Sequence, residues 1–215
     1  MKVIPAINCT TFAQVTKRIK EAQNFLPKGG WLQIDVSDGK FNQNKSWNEP
    51  KKLAKWLKDN KVEGINFEAH LMVTDPKLWA MQWLEAGARR VVVHVEALTP
   101  NDILFLKGFG KGRIGIAIIP GSPIKAVERY VEHFSFIQLL AVKPGYSGQK
   151  LDRKVLEKIV FLKALYPNVT IEVDGGVNAS TAPTIKDAGA DIVVVGSYIF
   201  EAADKGKAYR ELKKI

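Results

Sequence analysis

The sequence predicts an α/β fold, a single (β/α)8 TIM barrel over residues 1–215, and three observations carry that expectation. Eight β-rich runs alternate with eight amphipathic stretches along the whole length. Divided among eight units, 215 residues give roughly 27 per unit, near the smallest spacing a closed barrel tolerates. The chain also echoes itself: Glu85-Ala86-Gly87-Ala88-Arg89-Arg90-Val91-Val92-Val93 is matched by Asp187-Ala188-Gly189-Ala190-Asp191-Ile192-Val193-Val194-Val195, half a barrel later. The competing architecture is an open doubly wound nucleotide-binding sheet, which places Gly-x-Gly-x-x-Gly after its first strand. Pro5-Ala6-Ile7-Asn8-Cys9-Thr10-Thr11 contains no glycine.

The strands are expected at 3–7, 31–36, 65–72, 90–96, 113–119, 136–142, 170–177 and 191–197. Helical patterns fall between them at 11–24, 50–60, 75–86, 101–107, 124–133, 152–165, 180–188 and 201–214. Thr74-Asp75-Pro76 supplies an N-cap with proline in the first turn, and Gly87 and Gly189 stand where helices should stop. In Lys51-Lys52-Leu53-Ala54-Lys55-Trp56-Leu57-Lys58, lysine alternates with apolar residues at helical spacing, giving one wet face and one dry. Trp79 and Trp83, four apart, read as a core-facing stripe. No linker or shift in composition divides the chain, so one domain is expected.

At 46% hydrophobic and 25% charged, the composition is that of a globular protein and excludes disordered and fibrous classes. The net charge of +10 is scattered over helix faces, with no basic stripe interleaved with aromatics, so no nucleic-acid partner is expected. Such a surface would still attract a small anion. The apolar runs are too short for a membrane span, and no membrane partner is expected. A single cysteine, Cys9, and a start that runs straight into strand-like sequence predict a cytoplasmic location.

Barrel strands point residues i and i+2 to the same side. Four strands place polar pairs at that spacing near their C-terminal ends: Gln33 and Asp35, Glu68 and His70, His94 and Glu96, Glu172 and Asp174. Barrel interiors are normally filled by Val, Ile and Leu, and burying this many ionisable groups is costly unless they pair, bind a metal or do chemistry. For His94, Glu96 and Glu172, a satisfied ion-pair layer competes evenly with function. Asp35, His70 and Asp174 together are a metal-ligand set converging on the catalytic face. Glycine-rich turns follow at the same face: Lys143-Pro144-Gly145-Tyr146-Ser147-Gly148-Gln149, Asp174-Gly175-Gly176-Val177 and Val195-Gly196-Ser197. Glycines let backbone N–H groups approach an anion, and barrels often bind phosphate after strands seven and eight. Three such turns in consecutive units predict a phosphorylated ligand.

Across nearly the whole chain the sequence resembles the ribulose-phosphate 3-epimerase family. The resemblance rests on Gln33-Ile34-Asp35-Val36-Ser37-Asp38-Gly39, Ala69-His70-Leu71-Met72, Val93-His94-Val95-Glu96-Ala97, Pro144-Gly145-Tyr146-Ser147-Gly148-Gln149, Glu172-Val173-Asp174-Gly175-Gly176-Val177 and Gly196-Ser197-Tyr198-Ile199-Phe200, in the family's order and spacing. It implies an isomerase that interconverts D-ribulose 5-phosphate and D-xylulose 5-phosphate. Asp35 and Asp174 would be the catalytic acid/base pair and, with His70, would bind a divalent cation. Substrate or phosphate contacts would come from Cys9, His70, Met72, Gly145, Tyr146, Ser147, Gly148, Gly175, Gly176, Gly196 and Ser197. The partner implied is a small phosphorylated sugar, and family analogy adds a homo-oligomer.

The sequence departs from the family pattern at several of these positions. Gln33 stands where the family has its first metal-binding histidine, so an amide is the fourth metal position and the cation (Zn, Mn, Fe or Mg) is expected to be weakly held. Cys9 replaces a substrate-contacting serine, Ser37 and Leu140 replace methionines, Ile119 a polar residue and Ser147 a glycine. A lyase or decarboxylase on the same barrel would show Asp-x-Lys-x-x-Asp, and Asp35-Val36-Ser37-Asp38 lacks that lysine. The alternative is a non-catalytic or repurposed phosphosugar-binding barrel with a degraded metal site. Against it, anion binding alone gains nothing from two nearby carboxylates.

Overall fold

The computed structural model describes residues 1–146 and 148–215. Eight parallel strands close into a barrel in sequence order: β1 Lys2–Ile7, β2 Gly30–Ser37, β3 Ile65–Met72, β4 Arg90–His94, β5 Ile114–Ile118, β6 Phe136–Leu140, β7 Thr170–Asp174 and β8 Ile192–Val195. Closure is made by β1 on β8, with Lys2 to Pro5 in register with Ile192 to Val195. The intervening helices are α1 Phe12–Gln23, α2 Pro50–Asp59, α3 Pro76–Glu85, α4 Pro100–Lys107, α5 Lys125–Val131, α6 Lys154–Leu165 and α7 Ala182–Asp187, followed after β8 by α8 Ser197–Phe200 and α9 Lys205–Lys214. The chain is a (β/α)8 TIM barrel. No helix among the described residues is long and apolar enough to cross a membrane.

Local chemistry explains the boundaries. Thr11 and Gln14 form a reciprocal capping box at the start of α1. The Asp75 carboxylate accepts from the Leu78 N–H at the start of α3, with Pro76 in the first turn. Gly87 and Gly189, at φ +99° and +109°, end α3 and α7 as their positions predict.

Several expected boundaries need correction: the strands expected over 136–142, 170–177 and 191–197 end at Leu140, Asp174 and Val195, where the ladders stop, and two further elements change in kind. The strand ending at 96 stops at His94, because Val95–Ala97 winds into a 3-10 turn that carries Glu96. The helix expected over 201–214 is two: α8 starts directly after Gly196, and α9 starts afresh where the Asp204 carboxylate caps the Lys207 N–H.

The apolar residues divide by strand parity into two cores. One fills the space between barrel and helices, where Ile19, Leu53, Trp83, Ile159 and Leu212 pack on the outward side chains of the strands. Trp83 is fully buried and Trp79 packs partly buried beside it, as the stripe predicts. The smaller core is the barrel lumen, formed by Ile4, Ala6, Val92, Ala117, Phe136, Ile192 and Val194. Gly115 belongs to this packing, since a Cβ there would lie 2.5 Å from the Phe136 ring.

Below this layer, at the N-terminal ends of the strands, the Arg90 guanidinium lies over the rings of Phe136 (3.5 Å to the centroid) and Trp31 (4.6 Å). It donates to Glu68 (Nε to Oε2, 2.8 Å) and approaches Glu172 at 3.5 Å. The floor of the barrel is therefore a charged plug held between aromatics, which leaves the opposite mouth free for chemistry.

Candidate active site

The mouth at the C-terminal ends of the strands opens into a cleft of about 480 Å³. Asp35 near the end of β2, His70 on β3 and Asp174 at the end of β7 converge on its floor. His70 Nδ1 lies 3.1 Å from Asp174 Oδ2 and 3.5 Å from Asp35 Oδ1. Gln33, two residues before Asp35, points the same way. Its Nε2 donates to Asp35 Oδ1 and to Asp174 Oδ2, each at 2.7 Å. The two carboxylates remain about one-eighth exposed (12% each), while His70, although it lines the floor, is sealed from solvent.

Behind His70 runs a line of hydrogen bonds away from the cleft. His70 Nε2 meets His94 Nε2 at 2.8 Å, His94 Nδ1 meets Glu96 Oε2 at 3.2 Å, and Glu96 Oε1 accepts the Ile119 N–H at 3.0 Å. Glu96 keeps this contact from its 3-10 turn, although it lies beyond the strand. The proton positions follow from the partners. An ionised Glu96 requires Nδ1–H on His94, so His94 Nε2 is the acceptor and His70 Nε2–H the donor.

Electrostatics agree with that assignment. At Glu96, burial works to raise the pKa, but the hydrogen bonds from His94, Ser122 and the Ile119 N–H outweigh it and bring it down to about 2. Burial drives His94 down to about 4, against the hydrogen bond to Glu96. Burial also opposes charging of His70, yet the hydrogen bonds and charges of Asp174 and Asp35 prevail and push it up to about 10. Asp35 is raised above the usual aspartate range, chiefly by burial and further by the Asp174 charge.

The three donors Asp35, His70 and Asp174 present ligand atoms within 4.8 Å of one another, a spacing and chemistry that fit one divalent cation. The fourth corner differs, because Gln33 turns its amide nitrogen toward the carboxylates. Met72, Gly145, Tyr146, Gly148, Gly175, Gly176, Gly196 and Ser197 all line the same cleft. Ser147 lies outside the described residues. Cys9 packs, half-buried, against the core between barrel and helices, and its neighbour Asn8 reaches the cleft wall. Burial raises the Cys9 thiol pKa, which keeps it neutral.

The sequence matches the Ribulose-phosphate 3 epimerase family over residues 2–200. The chain belongs to that family. Among curated relatives, it is 33% identical to the "Ribulose-phosphate 3-epimerase, cytoplasmic isoform" of Oryza sativa subsp. japonica, covering 99% of this chain and 93% of the relative. It is 32% identical to the "Ribulose-phosphate 3-epimerase" of Bacillus subtilis (strain 168), covering 99% and 98%. Among solved structures, a 3-hexulose-6-phosphate synthase superposes with a TM-score of 0.70 at 19% identity over 100% of this chain and 99% of its own, a likeness of fold alone.

Family motifs pointed to every described cleft residue named above except Asn8, and they also missed Gln138, which lies beneath the cleft. Gln138 is fully buried in the lumen on β6, and its Nε2 donates to Gln33 Oε1 and Glu172 Oε1, each at 2.9 Å. Parity marks it, since it precedes cleft-lining Leu140 by two in the otherwise apolar strand Phe136-Ile137-Gln138-Leu139-Leu140.

Proposed function

We propose that the protein is a ketose-phosphate 3-epimerase that interconverts D-ribulose 5-phosphate and D-xylulose 5-phosphate with Asp35 and Asp174 as its two acid/base groups. The observation that carries the reading is the convergence of these carboxylates, from β2 and β7, on one cleft in a chain of this family. Inverting the carbon beside a ketone requires a proton to leave on one face and return on the other. One carboxylate takes the C3 proton, and the other, protonated, delivers its own to the opposite face of the planar enediolate. The partly exposed edges of Asp35 and Asp174 face the space the substrate would fill.

The His70 and Gln33 N–H groups hold the carboxylates by hydrogen bonds, fixing their oxygens relative to the reacting carbon. The glycine turns after β6, β7 and β8, with Tyr146 and Ser197, would receive the phosphate and so set the reacting carbon between the two acids. Asp35, His70 and Asp174 are the residues that would hold a divalent cation, which would have to displace the Gln33 N–H2 from between the carboxylates; their two-carboxylate set favours Mn²⁺ or Mg²⁺ over Zn²⁺. When bound, such a cation supplies Lewis-acid stabilisation of the enediolate oxygens. One domain over 1–215 and a cytoplasmic location complete the reading, supported by the family match over 2–200 and by the relative named as a cytoplasmic isoform; a homo-oligomer is added by family analogy alone.

The direct test is to incubate the protein with D-ribulose 5-phosphate and follow the C3 and C4 signals by NMR. A mixture of the two epimers is the expected result. Binding of the sugar phosphate with no interconversion, with and without added Mn²⁺, would instead make the protein a binding barrel.

A further inference from the structure

The least expected feature of the lumen is a pair of buried amides. Gln138 Nε2 is surrounded by acceptors: Gln33 Oε1 at 2.9 Å, Glu172 Oε1 at 2.9 Å and Asp174 Oδ2 at 3.4 Å. That environment sets its orientation, because a turned amide would place its oxygen against Gln33 Oε1 and Asp174 Oδ2, neither of which has a proton to give. The other end of the same group, Gln138 Oε1, is buried with no partner among the described residues. An orphaned buried acceptor carries a desolvation cost that a leucine of similar size would avoid. The N–H2 end must therefore matter to the site it faces.

What it faces is Gln33. Because Gln33 Oε1 accepts from Gln138, its Nε2 is turned the other way, onto Asp35 Oδ1 and Asp174 Oδ2. The same nitrogen lies 3.5 Å from His70 Nδ1. It thus stands among the three side chains whose spacing fits a cation. To serve as a ligand, Gln33 would have to turn its oxygen inward. Its nitrogen would then meet the Gln138 nitrogen, donor against donor, and both carboxylate hydrogen bonds would be lost.

We propose that Gln138 is a positioning residue that locks the Gln33 N–H2 between Asp35 and Asp174, and that this locked amide takes the place of a divalent cation, so that the acid/base pair works without one. The proposal rests on the epimerase reading for its chemical half and on the hydrogen-bond geometry alone for its metal-binding half. The two N–H bonds of Gln33 hold the carboxylate oxygens together as a shared cation would, with hydrogen bonds in place of charge.

The test pairs Mn²⁺-binding isotherms of the full chain with turnover measured before and after chelator dialysis. Gln138→Leu and Gln138→Met remove the donor while filling similar volume, and thermal melts report whether each folds. Wild type should bind Mn²⁺ weakly and keep its turnover after dialysis. Both Gln138 variants should bind Mn²⁺ at least tenfold more tightly, because Gln33 is then free to turn its oxygen inward, and Gln33→His should tighten binding as well. A wild type that purifies with a full equivalent of cation would overturn the proposal, as would folded Gln138 variants that bind Mn²⁺ no more tightly. If neither Gln138 variant folds, wild-type occupancy and chelator sensitivity decide. A protein with no epimerisation under any condition would sink the functional reading, while the isotherms would still decide whether the amide is locked.

Discussion

Asp35 is the residue at which burial and chemistry meet. Its pKa lies above the ordinary aspartate value, mainly through burial, with the Asp174 charge adding to the shift and hydrogen bonds from His70 and Gln33 opposing it. The sign of the consequence is definite. An acid/base group that must be ionised to take the C3 proton loses activity as the pH falls through its pKa, so the acid limb of kcat/KM should lie above the ordinary aspartate value of about 3.9. A kcat/KM profile from pH 4 to 9 checks this, and a limb at or below that value would show Asp35 to be free of the burial effect. At this scale the sequence was informative where parity was applied to polar residues. Asp35, His70 and Asp174 were legible as one cluster because ionisable groups in a barrel lumen demand a reason. Which way the Gln33 amide points was not legible, since it depends on Gln138, 105 positions away and on another strand.

Among the elements, the turns after β7 and β8 carry glycines for different reasons, which the sequence could not separate. Gly176 sits at φ +68°, and a Cβ there would collide with the Leu151 backbone nitrogen. Gly175 sits at φ +102°, with Val142 in the way of any side chain. Both are demanded by the fold. Gly196 has a negative φ, and a Cβ would meet only the Ala6 carbonyl, at 3.7 Å. Gly176→Ala should therefore lower stability by more than about 1 kcal/mol in urea denaturation. Gly196→Val should fold normally and raise KM for the sugar phosphate roughly tenfold, or about 1.4 kcal/mol, by keeping phosphate off the backbone. An unchanged KM would place the phosphate elsewhere in the cleft. Element order and type were readable from periodicity. The ends of β4 and β7 were overrun because apolar loop residues such as Val95 and Val177 continue the pattern past the last ladder bond.

At the scale of the whole molecule the barrel is closed around two polar layers with opposite duties. The floor layer is structural: Arg90 is the cation that ion-pairs with Glu68 and Glu172, with the Lys2 charge adding to it, and burial raises both glutamates above the ordinary carboxylate range. Arg90→Ala would leave two buried carboxyls without their partner and cost roughly 3–5 kcal/mol at neutral pH. The sign of its pH dependence follows from those raised values. Carboxyls that prefer to be protonated in the folded state weaken it at high pH, so the loss should shrink as the pH falls toward 5. Urea titrations at pH 5 and pH 8 measure the difference, and a loss equal at both would mean that neither glutamate is charged when Arg90 is absent. The mouth layer does the chemistry, and its central claim is that two carboxylates act on opposite faces of one carbon. The most direct test is C3 proton exchange in D₂O, read by NMR from D-ribulose 5-phosphate and from D-xylulose 5-phosphate, for wild type, Asp35→Asn and Asp174→Asn. The account predicts that each variant loses epimerisation by at least ~100-fold, yet still exchanges the C3 proton of one epimer, a different one for each variant. Near-normal epimerisation by either variant, or exchange of the same epimer by both, would contradict it.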